Sequence, residues 1–320
     1  MYHQVLSRCQ PFRLRLNIFA FSGTIEEEYM LAQITLIPSE SKKLIAKAVA
    51  NIDFVKKAAA EGIIMMHPSS STYFIVEAIT GKLPPTNHWV CGVVAPKGTC
   101  TEMGIFSAMP SPTKDSSFEP GEWQAWWAIK DGKLTPGLGT GELLGQMKAS
   151  DVFIKGVNAV DPQGNVGCLI GDPAQGGPLG RVLSSWKKIS FHLIFPVGLE
   201  KMIPVPIREA SKEAKQMKLD YAMGMGCGLL PLPEGKAVTE IDAIRILSGA
   251  TAIPIAAGGL GGAEGAITLV IKGDEEQVNK AIVFVEQSKG AKLPQLRLPN
   301  CSSCQPMACK SQVGKHWTEA

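Results

Sequence analysis

The length, composition and charge of the chain limit what it can be. Its 320 residues, 45% hydrophobic and 19% charged, suffice for one large or two ordinary domains with a substantial core. The formal net charge of +3 is small for this length, and the basic residues are spread along the chain, which argues against a nucleic-acid partner. No apolar run reaches the roughly 20 residues of a membrane span. We therefore expect a cytoplasmic globular protein that has no membrane contact.

The N-terminal segment, residues 1–33, differs from the sequence that follows it. Three arginines precede a short apolar piece, Leu16–Phe21, and three consecutive glutamates follow it. That piece is shorter than the roughly 7–15 residues of a signal-peptide core. We expect a disordered leader, with a signal peptide as the alternative, and a ligand-binding α/β core over residues 34–221.

A hydroxyl-rich turn follows the first predicted strand of this core. Apolar positions from Leu44 to Val55 recur with a helical period and predict one helix ended by Gly62, and Ile63–Met66 is then a buried strand. The next helix is preceded by four hydroxyl residues: Ser69, Ser70, Ser71 and Thr72. Unpaired N–H groups and the positive dipole end at a helix start can hold a phosphate or carboxylate. The turn is either an N-cap alone or a ligand contact, and its place after a strand favours the ligand contact.

The region from 97 to 136 is rich in proline, glycine and serine and predicts an insertion outside the sheet. Lys130-Asp131-Gly132-Lys133 is a hairpin turn signal. Trp123, Trp126 and Trp127 precede it, and they either bury the hairpin against the body or stack on a ligand.

The block from Asp151 to Pro204 has the pattern of a ligand-binding α/β sheet. One apolar run ends in Lys155-Gly156, a turn at 161–165 follows, and a second run leads to Gly176-Gly177 before a helix. Open parallel sheets bind ligands at the carboxyl ends of their strands. Lys155 can meet an anion there, Asn158 can accept hydrogen bonds, and the two glycines offer a backbone cradle for phosphate. The turn is also simply a good β-turn, so a structural role is the alternative.

This block resembles the core of the superfamily that contains ribose-5-phosphate isomerase, glucosamine-6-phosphate deaminase, the CoA transferases and the sugar-sensing halves of DeoR-type repressors. Ribose-5-phosphate isomerase has G-A-D-E-[IV]-D at a strand end, where this chain has Gly156-Val157-Asn158-Ala159-Val160-Asp161. The resemblance implies a phosphorylated or CoA-linked ligand, with Asp161 and Lys201 in catalytic positions. Asn158 and Ala159 stand in place of two acids, and an amide cannot act as a general base, so ordinary ribose-5-phosphate isomerase activity is not expected.

The pattern changes after residue 221, where we expect a smaller α+β subdomain over residues 222–290. Its predicted order is helix, strand, glycine loop, strand and helix. Glu264 lies in the glycine loop, and CoA transferases of the same superfamily use a loop glutamate as a nucleophile. The resemblance therefore makes Glu264 a candidate catalytic residue, although the surrounding residues differ from their S-E-N-G pattern.

Residues 291–320 form a tail with a cysteine cluster. Cys301, Cys304 and Cys309 have the spacing C-x2-C-x4-C, and His316 follows. Thiolates in a C-x2-C turn can share one metal, so these four residues are a candidate set for zinc or an iron–sulfur cluster. A disordered tail with free or redox-active thiols is the alternative.

These patterns together predict the α/β class, with an open, mostly parallel sheet and flanking helices, the smaller α+β unit and the cysteine tail. The favoured function is an isomerase-like or acyl- or CoA-transferase-like enzyme acting on a phosphorylated or CoA-linked small molecule. A non-catalytic metabolite sensor on the same fold, and a metal or iron–sulfur protein working through its tail, are the alternatives. A homo-oligomer is compatible with each.

Overall fold

The structure, a computed structural model, describes residues 29–102, 126–171, 176–215, 219–301 and 309–311. The strands are β1 Met30–Leu36, β2 Ile63–Met66, β3 Gly92–Ala95, β4 Gly98–Thr101, β5 Trp126–Lys130, β6 Lys133–Leu138, β7 Val152–Ile154, β8 Ala159–Val160, β9 Val166–Ile170, β10 His192–Pro196, β11 Gly224–Met225, β12 Gly228–Pro231, β13 Lys236–Val238, β14 Thr251–Ala257, β15 Ile267–Gly273 and β16 Cys309–Ser311. The helices are α1 Pro38–Ala50, α2 Asp53–Glu61, α3 Ser70–Thr80, α4 Thr140–Gln146, α5 Gly177–Ile189, α6 Ile207–Lys215, α7 Glu240–Ser248 and α8 Glu275–Glu286.

A six-stranded mixed sheet organises the fold, in the order β13-β10-β7-β2-β5-β6. The first four of these strands run parallel to one another. The last two, β5 and β6, are antiparallel to their neighbours. The α/β content predicted from the sequence is confirmed. The sheet itself is mixed, and smaller sheets accompany it.

Strand residues alternate between the two faces of this sheet. Ile64 and Met66 of β2 belong to one apolar core, together with side chains from α1, α2, α3, α7 and α8. Ile63 and Met65 belong to a second core, with side chains from α4 and α5. Successive side chains of a strand point to opposite faces, so an all-apolar strand such as β2 is buried between two layers.

The hairpin β5–β6 is part of the main sheet, so the prediction that this region is an insertion outside the sheet is wrong for the hairpin. Asp131 and Gly132 both have positive φ, as a two-residue hairpin turn requires. Trp126 and Trp127 are both buried on opposite faces of the sheet, and Trp126 Nε1 donates to Thr140 Oγ1 at 2.7 Å. Trp123 lies outside the described residues.

The single helix predicted to end at Gly62 is two helices, α1 and α2. The helical backbone stops at Asn51, and Ile52 has an extended conformation before α2 begins. Both segments nevertheless contribute buried side chains to one core, including Leu44 and Val55. The apolar period continues across the break, which explains why the sequence pattern does not reveal it.

A three-stranded antiparallel sheet in the order β1-β15-β14 lies beside α1, α7 and α8. The order α7-β14-β15-α8 is the one predicted for residues 222–290. The sheet of this unit also includes β1, which starts at Met30, before the predicted start of the core at residue 34. Side chains of α1, α7, α8 and this sheet share the core that covers one face of the main sheet.

Two small sheets complete the described structure, in the orders β12-β9-β8 and β16-β11-β4-β3. The first extends from the loop that follows β7, so it adjoins the carboxyl edge of the parallel strands. Among the helices of the described residues, none has the length and apolar character needed to cross a membrane.

Candidate functional site

The carboxyl ends of three parallel strands bring polar residues to one edge of the main sheet. Met66 pairs with Ile154, and Ile154 pairs with Ile194, so β2, β7 and β10 end close together. His67 follows β2, Lys155 follows β7, and the turn Leu199–Lys201 follows β10. This is the edge at which open α/β sheets bind ligands.

Two lysine amines converge on the loop after β7. Lys155 Nζ donates to the carbonyl oxygen of Gly156 at 2.8 Å, and Lys201 Nζ donates to that of Val157 at 2.7 Å. Cys168 Sγ lies 3.8 Å from the Gly156 oxygen, and the Lys155 side chain also hydrogen-bonds this thiol. Two amines and a thiol therefore surround one short stretch of backbone.

No carboxylate of the described residues forms an ion pair with either lysine of the site, Lys155 or Lys201. Burial, and then the charges of Lys42 and Lys155, lower the pKa of Lys201 to about 8, while Glu200 acts in the opposite direction. Desolvation and like charges both disfavour an ammonium, so part of the Lys201 population is a neutral amine near pH 7.

Glu200 links the site to the N-terminus of α1. Its Oε1 accepts a hydrogen bond from Lys42 Nζ at 2.6 Å, and both side chains are largely buried. Its Oε2 is buried and has no hydrogen-bond partner among the described residues. Gly265 packs beside Pro38 and the Cβ of Glu200, so the glycine loop between β14 and β15 adjoins this ion pair.

A second carboxyl group, that of Glu240, holds the turn that carries Lys201. Glu240 is fully buried at the start of α7 and accepts a hydrogen bond from Leu199 N at 3.0 Å. Burial, and then the nearby charge of Glu200, raise the pKa of Glu240 to about 7. The group is therefore partly protonated at neutral pH, and its ionisation changes the field at Glu200.

His67 supplies a neutral imidazole at the same edge. Burial, and then the charge of Lys155, lower its pKa well below the usual value. Its Nδ1 lies 3.1 Å from the carbonyl oxygen of Pro68, which can only accept, so Nδ1 carries the proton and Nε2 is the basic nitrogen. Because burial and the Lys155 charge both disfavour the imidazolium, this ring stays neutral at neutral pH.

The predicted serine turn adjoins the same loop. Ser69 and Thr72 form a reciprocal capping box at the start of α3, which accounts for both of their hydroxyl groups. Ser70 is partly exposed. Ser71 is only 2% exposed, and its hydroxyl has no partner among the described residues. Gly156 packs directly against Ser69 and Ser71, as the prediction of adjacent strand ends requires.

Asn158 and Asp161, the polar side chains of the segment that resembles the superfamily motif, bind backbone N–H groups. Asn158 Oδ1 accepts a hydrogen bond from Leu169 N at 3.0 Å. Asp161 accepts hydrogen bonds from the backbone N–H groups of Gln163, Asn165 and Ile207 and from the Asn165 side chain. These contacts fix the turn between β8 and β9 and the start of α6. They correspond to the structural role that was the alternative to ligand binding for this turn.

The remaining predicted ligand contacts, Gly176, Gly177 and Glu264, make no hydrogen bond to either lysine among the described residues. Gly176 has a left-handed backbone before α5 and packs beside Leu230 of β12, and Gly177 opens that helix. Glu264 is exposed in the glycine loop, where its carboxylate accepts a hydrogen bond from Gly262 N. Its neighbour Gly265 packs beside the Cβ of Glu200.

The predicted metal set falls mainly outside the described residues, where Cys304 and His316 lie. Cys301 is described and carries a free thiol, and the backbone of Cys309 pairs with Met225 in β16. Within the described ranges, no group of three or more histidine, cysteine or acidic side chains is arranged to hold a metal ion.

The sequence alone did not single out His67, Lys42, Cys168 or Glu240. His67 had a usable signal, because it directly follows a buried strand in the same segment as the serine turn. Lys42 and Glu240 had no such signal, because the sequence around each is typical of an ordinary polar residue in a helix. Comparison with protein-family models, curated proteins and solved structures finds no match to this chain.

Proposed function

We propose that the chain is an enzyme that acts on a phosphorylated or CoA-linked small molecule at the carboxyl edge of its main sheet. In this proposal Lys155 binds the anionic group, and Lys201 is the reactive group. The convergence of the two amines on Gly156 and Val157 is the observation that carries it. Membership of the superfamily that the sequence resembles, with its open parallel sheet, is part of the same proposal.

The charge of the site favours an anion over a neutral or cationic ligand. Lys155 and Lys201 bind only backbone carbonyl oxygens among the acceptors of the described residues, apart from the Cys168 thiol. Neutral carbonyls leave the two amines mutually repulsive, and a phosphate or carboxylate relieves that repulsion. The unpartnered Ser71 hydroxyl at the same loop offers a further donor to such a ligand.

Catalysis requires groups that exchange protons near neutral pH, and the site holds two. Lys201 and Glu240 have pKa values of about 8 and about 7. Perturbed pKa values of this kind cluster at functional sites. The free thiols of Cys91 and Cys168 nearby fit the proposed location in a reducing cytosol.

A metabolite sensor is the second candidate, because Asn158 and Asp161 are engaged by backbone groups. A sensor needs the anion contact but not a reactive amine. Turnover of a bound ligand that depends on Lys201 therefore separates an enzyme from a sensor.

Calorimetric titration against a panel of sugar phosphates, pyridoxine 5′-phosphate and acyl-CoAs tests the binding step. The variant Lys155→Met should weaken the affinity for any ligand found by roughly 10–100-fold, the value of one charge-assisted hydrogen bond. Lys187→Met, on the exposed side of α5, is the matched control and should leave it unchanged. Equal affinities of both variants, or no binding to any panel member, contradict the proposal.

A further inference from the structure

We propose that Lys201 forms an imine with the carbonyl carbon of the bound substrate, so that the substrate is a phosphorylated aldehyde or ketone. The inference rests on the proposed function, which supplies the anion contact at Lys155. To the proposed function it adds a covalent step and the requirement that the substrate carry an aldehyde or ketone group.

The position of the Lys201 amine suits a nucleophile held beside an anion site. Its Nζ and that of Lys155 bind successive carbonyl oxygens, so a ligand whose phosphate meets Lys155 can present its adjacent carbons to Lys201. The Lys201 residue is partly buried, and its amine is desolvated, so a substrate reaches it only by displacing the contacts that cover it. Glu240 holds the backbone of the short turn Leu199–Lys201 through Leu199 N, and the hydrogen bond to Val157 O positions the amine itself.

The surroundings of Lys201 make its amine reactive at neutral pH. A lysine with an ordinary pKa has only about 0.03% of its amines unprotonated at pH 7. At the pKa of about 8 that burial, Lys42 and Lys155 give Lys201, that fraction is about 10%, a gain of roughly 300-fold. Desolvated lysines beside another cation are known to form imines for this reason.

The proposed step balances without an external oxidant or reductant. The nitrogen lone pair attacks the carbonyl carbon, the C=O bond becomes a C–OH group, and loss of water then leaves the C=N bond. Both protons of the neutral amine depart with the carbonyl oxygen as water. The first proton passes from the nitrogen to the oxygen after the attack, and the second leaves the nitrogen as the C–O bond breaks and the C=N bond forms.

Trapping with pyridoxal 5′-phosphate tests the inference, because this probe carries both a phosphate and an aldehyde. The full-length protein is incubated with the probe and reduced with sodium borohydride, and the labelled lysines are located by peptide mass spectrometry. We expect Lys201 to be labelled at least 10-fold faster than Lys187, with a rate that rises to a plateau above about pH 8. Lys201→Arg should remove this label, and excess pyridoxine 5′-phosphate, which lacks the aldehyde, should protect Lys201.

The two phosphorylated probes separate failure of the inference from failure of the proposed function. If pyridoxine 5′-phosphate binds in a Lys155-dependent manner but Lys201 is not preferentially labelled, the imine is excluded and the binding function stands. If neither probe binds and Lys201 is labelled no faster than Lys187, both are overturned. Preferential labelling that Lys155→Met does not slow supports the imine and contradicts the phosphate contact.

Discussion

Replacing Glu240 by glutamine should change how the stability of the protein depends on pH. The Glu240 carboxyl is fully buried at the start of α7, and its pKa is raised to about 7 by burial and by the charge of Glu200. In the unfolded chain the same carboxyl ionises with an ordinary pKa near 4.5. The folded state therefore holds its proton more tightly than the unfolded state does.

The sign and size of the effect follow from this difference. Below about pH 4.5 the group is protonated in both states and its contribution is fully present. As the pH rises to about 7, the unfolded state loses the proton first, and the folded state loses stability relative to it. A difference of about 2.5 pKa units corresponds to about 3 kcal/mol, an order-of-magnitude value. Glutamine does not ionise, so Glu240→Gln should not show this loss.

Urea unfolding of the wild type and the variant at pH 4.5, 6 and 8 measures the effect. The free energy of unfolding of Glu240→Gln minus that of the wild type should rise by about 3 kcal/mol as the pH is raised from 4.5 to 8. Glu234→Gln, at an exposed position before β13, is the control and should follow the wild type at every pH. Parallel stability curves for Glu240→Gln and the wild type would refute the reasoning, because they would mean that Glu240 ionises alike in both states.

Two further predictions concern the turn after β8 and the tail. Burial acts to raise the pKa of Asp161, but hydrogen bonds from Ile207 and Asn165 outweigh it and lower that pKa. Asp161→Asn should lower the free energy of unfolding by about 2–3 kcal/mol at pH 7, measured by urea unfolding. The difference from the wild type should shrink as the pH falls below 3.8. An unchanged urea midpoint at pH 7 would contradict the contacts assigned to Asp161. Protein purified without oxygen or chelator should contain about one equivalent of zinc, or an iron–sulfur cluster, and Cys304→Ser should release it. Metal-free wild type, found by elemental analysis and absorption spectroscopy, would exclude this site.

The sequence by itself determined much of the local structure, because short-range patterns act within one element. The apolar run Ile63–Met66 predicted a buried strand, and Lys130-Asp131-Gly132-Lys133 predicted a two-residue hairpin; both are present. The hydroxyl residues from Ser69 to Thr72 marked the start of α3. In each case the residues that form the signal are also the residues that make the contacts.

Only the tertiary structure decided which distant elements meet. The pairing of β1 with β15 joins residues separated by more than two hundred positions, and no local pattern specifies that partner. Lys42 reads as a polar helix residue, yet it is buried against Glu200 because α1 packs over the carboxyl edge of the sheet. Lys201 was identified from a resemblance, but its lowered pKa comes from Lys42 and Lys155, which other elements contribute. The chemistry of the site therefore depends on charges brought together by long-range packing, which short-range periodicity does not encode.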